Sequence, residues 1–134
     1  MTTPNRHRLA AVGLGALTVA AGLGVRAVAD GAVSNFVGAA LWDTLVCCLI
    51  MVLRPGVSPR SLFIAGALVG IGAEVFQATG VPLQLYHAHH GLALVLGTTF
   101  QWADLPAYPV GAAVGAAAQA RWLRGHEPRE PSVP

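Results

Sequence analysis

A chain of 134 residues leaves room for one domain. Its residues are 54% hydrophobic and only 10% charged, against about 25% charged in a water-soluble domain; this excludes a well-solvated globular surface and makes lipid the expected solvent. The net charge of +2 arises from eight arginines and no lysine. They lie beside apolar runs rather than in a stripe interleaved with aromatics, which speaks against a nucleic-acid partner.

In chain order, residues 1–8 form a basic arm carrying Arg6 and Arg8. Four apolar segments follow, over about Leu9–Val25, Phe36–Leu53, Ser61–Thr79 and Leu105–Leu123. Each is long enough, or nearly so, to cross a bilayer core of about 30 Å at about 1.5 Å rise per residue. A fifth apolar stretch, Gly91–Phe100, is too short to cross and is expected to be re-entrant or interfacial. The tail, residues 124–134, is rich in proline and charge and is expected to be disordered. The sequence therefore predicts an all-α integral membrane bundle of four transmembrane helices, occupying residues 9–123.

Arginine sets the expected orientation. Arg6 and Arg8, Arg54 and Arg60, and Arg121, Arg124 and Arg129 flank alternate segment ends. With the N-terminus cytoplasmic, all seven fall inside, as the positive-inside rule prefers, and Arg26 alone lies outside. Both termini are then cytoplasmic. The first segment also has features of a cleaved signal peptide: a basic start, and Ala27-Val28-Ala29 before Asp30. Its length and Arg26 just before that site weigh toward a retained helix.

Gly66 and Gly70, and Gly111 and Gly115, stand four apart, the spacing at which small residues let helix backbones approach in lipid. Cys47 and Cys48 are neighbours in an apolar run, a poor geometry for pairing with each other, and read as small apolar filler.

Ionisable residues inside a membrane are costly and usually face the protein interior. Asp43 is expected about 10 Å below the outer boundary on the second helix, and Glu74 about 8 Å below it on the third, with Gln77 on the same face. Asp104 begins the fourth helix at that level and Tyr108 follows one turn later. Arg26 closes the first helix nearby, and His87, His89 and His90 lie in the outer loop. The expected site is thus an outer-leaflet polar layer of Arg26, Asp43, Glu74, Gln77, His87, Asp104 and Tyr108. Plain structural roles compete: Asp104 as a helix cap, Glu74 and Gln77 as a packing network, Asp43 as an acid bonded to a backbone carbonyl. Trp42, Trp102 and Tyr86 read as interfacial anchors. The histidines are too tightly spaced to ligate one zinc ion together. No nucleophile elbow or phosphate-binding glycine loop occurs. No metal or cofactor is expected.

The run Gly22-Leu23-Gly24-Val25-Arg26, then Gly38-Ala39-Ala40-Leu41-Trp42, Glu74-Val75-Phe76-Gln77, and Leu96-Gly97 with Phe100, Asp104, Tyr108 and Gly111, resembles a bacterial family of small membrane proteins, catalogued as domain of unknown function 2809. The resemblance covers about residues 22 to 118. The motif order is also similar to VanZ-like proteins, which are linked to glycopeptide resistance. The family carries Asp directly after the glycine matching Gly38, where this chain has Ala39; Asp43 lies four residues on, on the same helix face. It carries Arg at the position of His87. The resemblance implies a multi-pass fold in the cytoplasmic membrane and supplies no activity, because none is established for the family as a class.

Three functions fit. The polar layer binds an envelope lipid or head group, with Arg26 on phosphate; or its carboxylates handle protons or cations, which a four-helix bundle serves best as a homo-oligomer; or the chain is a non-catalytic scaffold for a membrane-protein partner.

Overall fold

The computed structural model describes residues 3–88 and 99–125, and the described residues fold into helices joined by short turns. Helix α1 spans Thr3–Val28 and α2 spans Gly31–Leu53. α3 runs over Pro59–Ala78 and the short α4 over Val81–Ala88. After a 3-10 turn at Trp102–Asp104, α5 covers Ala107–Gly125.

The turns follow from local chemistry. Ala29 and Asp30 alone separate α1 from α2, and Gly31 supplies the positive φ of 74° at which α2 begins. Side chains rarely adopt that backbone region, whereas glycine does so freely. α3 opens on a serine cap: the Ser58 hydroxyl accepts from the Ser61 amide at 3.1 Å, with proline at the first helical position. It ends at Gly80, which has a φ of 75° and donates its amide to the Gln77 carbonyl at 3.0 Å, a common helix stop.

Among the described residues three helices are long and apolar enough to cross a membrane: Pro4–Val28, Gly31–Leu53 and Pro59–Ala78, with mean hydropathies of 1.7, 2.2 and 1.6. The fourth apolar segment does form a 19-residue helix, α5, yet falls short of that apolarity. Its alanine-rich run, Gln119, Arg121 and Arg124 explain why. α1 begins six residues before its apolar segment and takes the arm's Arg6 and Arg8 into the helix. Helix α4 occupies what the sequence reads as the start of the outer loop. The expected re-entrant segment, 91–100, falls almost wholly outside the described residues, as do His89, His90 and most of the tail.

α1 packs along α2, while α5 lies against both α2 and α3. Burial is inverted relative to a soluble protein. The buried face of α2 is Ser34, Asp43, Thr44, Cys47, Cys48 and Met51, whereas Leu17, Leu23, Leu49, Leu68 and Val75 face outward. Lipid gives apolar surface no drive to bury, so small and polar residues hold the interfaces instead. Gly70 lies so close beneath the Tyr108 ring that a methyl group there would collide with it. Gly111 meets the Ala40 carbonyl, and Gly115 the Cys47 side chain, with the same lack of space.

The arginine-bearing ends, apart from the Arg26 end of α1, gather at one pole. Arg8 donates from Nε to the Val52 carbonyl at 3.0 Å. Gln119 of α5 donates to the Pro55 and Val57 carbonyls of the α2–α3 turn at 3.1 and 2.8 Å. His7 stacks on Trp122 with ring centroids 5.0 Å apart.

Candidate functional site

At the opposite end α2, α3 and α5 meet around two fully enclosed acids. Asp43 is 0% exposed and Glu74 is 1% exposed. Glu74 is well satisfied: Oε1 accepts from the Tyr108 hydroxyl at 2.7 Å, and Oε2 accepts from the Gln101 amide at 3.1 Å. The Glu74 network thus runs across helices, from α3 to α5 and to the segment before it. The Gln101 side chain in turn accepts from Asn35 at 3.4 Å, so this one residue ties α5's approach to both α2 and α3.

Asp43 is in the opposite condition. Both its carboxyl oxygens are buried without a hydrogen-bond partner, so the expected bond to a backbone carbonyl is not made. Its surroundings are small by design of sequence. Its Cβ abuts Gly111, and a methyl group at Gly66 would lie 3.3 Å from its Oδ2 and 2.6 Å from the Cys47 sulfur. The neighbouring Thr44 hydroxyl instead donates to Ala40 and Gly111 carbonyls, at 2.9 and 3.2 Å, joining α2 to α5.

Asp104 sits half-buried in the 3-10 turn, and its Oδ1 is also buried without a partner. Burial raises its carboxyl above the ordinary value, and the nearby Glu74 adds to this. Tyr108 is buried and lies within electrostatic reach of Glu74, Asp104 and Asp43 alike. The indole of Trp42 meets the Tyr108 ring edge-on at 6.1 Å, which makes it part of the layer's wall rather than a simple anchor.

Of the seven residues the sequence singles out, four come together: Asp43, Glu74, Asp104 and Tyr108. Gln77 is half-buried near the end of α3. Arg26 is exposed in the last turn of α1, and His87 is exposed in the last turn of α4. Sequence reasoning missed Gln101. It enters through its backbone amide, a group every residue but proline carries, so no residue type could have signalled it.

These features define a class: a helical membrane protein whose interior holds an acidic layer without a buried basic side chain among the described residues other than His7 at the far pole. The family model described as "Protein of unknown function (DUF2809)" matches residues 28–112. The chain belongs to that family. The matched stretch contains Asp43, Glu74, Gln101, Asp104 and Tyr108, and takes in only the last residue of α1. The likeness to VanZ-like proteins is not borne out. No curated protein and no solved structure matches the chain.

Proposed function

We propose that this chain is a multi-pass protein of the bacterial cytoplasmic membrane in which the acidic layer reversibly binds a proton or a small cation. α5 serves as a fourth span, with both termini cytoplasmic. The observation that carries the reading is Asp43. An ionised carboxylate enclosed without donor or counter-ion is among the costliest things a folded chain can hold, and intramembrane carboxylates commonly mark ion paths. A proton or a bare cation is the partner the polypeptide does not supply. Asp104, with its idle Oδ1, and the Glu74–Tyr108 pair lie at the same junction. The head-group reading fits less well, because its phosphate contact, Arg26, is exposed and apart from a layer that otherwise offers an anion only acids and a phenol.

A hydrophobic carbodiimide, which modifies protonated carboxyl groups in a bilayer, tests the reading on the full chain in liposomes. Expected is labelling at Asp43 that grows toward acid pH, fades toward alkaline pH and is lost in Asp43→Asn. Protection by sodium ions at fixed pH would assign the cation; its absence would assign the proton. An Asp43 that stays unmodified at every pH overturns the proposal. Cysteines placed at 30, 58 and 87 test the topology: 58 alone should react from the cytoplasmic side.

A further inference from the structure

The arginine-bearing pole contains a partly open crevice of about 70 Å³ between α1, α2 and α5. Ala10, Ala11 and Leu14 of α1, Met51 of α2 and Ala118 of α5 form its walls. The stacked His7 and Trp122 line the part nearest the helix ends. The walls are small and apolar almost throughout, and the volume is far below the ~300–1,000 Å³ of sites that enclose a whole small molecule, room for a short stretch of methylene groups only. Such a space suits a segment of one flexible hydrocarbon chain rather than a polar ligand.

Charge then selects the head group. Arg6 stands one turn before Ala10 on the same face of α1, and Arg121 stands three residues after Ala118 on α5. Arg8 is fastened over the end of α2 by its bond to Val52, one residue from Met51. All three are exposed, as are Arg54, Arg60 and Arg124 at the same pole, so six cations, from three helices and the α2–α3 turn, lie at the crevice end of the bundle. Among the described residues no acid lies at this pole. Two of the three wall helices, α1 and α2, are long and apolar enough to cross a membrane, which makes lipid the medium next to the opening.

We infer that this crevice seats a segment of one acyl chain of an anionic phospholipid, whose phosphate is held by Arg6, Arg8 and Arg121. The bound lipid wedges α1 against α5 across α2, at the pole opposite the acidic layer. Short apolar burial and a basic rim act together here, as they do for membrane anchors that need two weak signals.

The chain has three tryptophans, of which Trp122 alone lines the crevice. Trp42→Phe with Trp102→Phe therefore leaves one reporter. The full-length protein carrying both changes is placed in vesicles of phosphatidylcholine doped with either phosphatidylglycerol or phosphatidylcholine bearing brominated chains, which quench indole emission on contact. Expected is half-maximal quenching at a mole fraction of brominated phosphatidylglycerol at least fivefold below that of brominated phosphatidylcholine. Arg6→Gln with Arg121→Gln, both at exposed positions, should bring the two curves together. Ala118→Leu, which fills the crevice, should weaken quenching by both lipids while the emission maximum and helical content stay those of the folded protein. Equal curves for the two lipids in the parent protein, or an undiminished difference in the double arginine variant, overturn the inference. So does unchanged quenching in Ala118→Leu.

Discussion

At the arginine-bearing pole, buried polar groups are matched to the chain's own carbonyls. Gln119 spends both hydrogens of its amide on Pro55 and Val57, and Arg8 fastens the end of α2. At the other pole the interior groups are carboxyls, and only Glu74 is matched; Asp43 and one oxygen of Asp104 are left idle. Gln119 too leaves its carbonyl oxygen without a partner, but a neutral amide with one idle acceptor costs far less than an enclosed carboxylate with two. One pole ties its polar groups to the backbone across helices, and the other encloses carboxyl oxygens that no group of the chain bonds. Within the acidic layer the same contrast recurs on a smaller scale, between Glu74, bonded through both oxygens, and Asp43, bonded through neither.

That contrast is sharpest where helices touch. Gly111→Val should produce the largest effect, because a side chain there runs into the Ala40 carbonyl and lies 2.9 Å from the Asp43 Cβ. Overpacking against backbone costs about 3 kcal/mol, and unfolding in mixed detergent micelles should show it. A loss below about 1 kcal/mol would mean that α2 and α5 are not in direct contact. Glu74→Ala should come next, at about 2 kcal/mol, because it strands the Tyr108 hydroxyl and the Gln101 amide. Glu74→Gln, which keeps an acceptor, should recover part of that loss. Gln119→Leu removes two hydrogen bonds from the α2–α3 turn and should cost about 1 kcal/mol. Hydrogen exchange should localise the loosening to residues 54–58. Asp43→Asn should have the smallest effect on stability, within about 0.5 kcal/mol of the parent or slightly stabilising, since no bond is lost. It should nonetheless abolish carbodiimide labelling and any coupled flux. Should Asp43→Asn destabilise as strongly as Glu74→Ala, both acids hold the bundle together and the contrast fails.

Much of this was legible in the chain. Long apolar runs announced the helices, and Gly66, Gly70, Gly111 and Gly115 announced the close contacts, because only residues without bulk permit them. Asp43, Glu74, Asp104 and Tyr108 could be assigned to one layer by counting residues from segment ends. Arg26 and His87 were drawn into that layer by the same counting, which gives depth but not direction around a helix; both face outward instead. Helix α4 was hidden because eight residues carry too little periodicity to separate a helix from a loop. The crevice beside Trp122 was hidden as well, since alanines at 10, 11 and 118 look identical whether they line a space or fill one.

Composition by itself determined the solvent, the helical class and the gathering of arginines at alternate segment ends, because these depend on transfer energies summed along the chain. Which acid is bonded and which is left bare was decided only by the tertiary structure. Asp43 and Glu74 are similar residues at similar depths, and what separates them is a phenol from α5 and a backbone amide from the segment before it. Hydrogen bonds reach only about 3 Å, so partners 27 and 34 positions away are fixed by how the helices settle against each other.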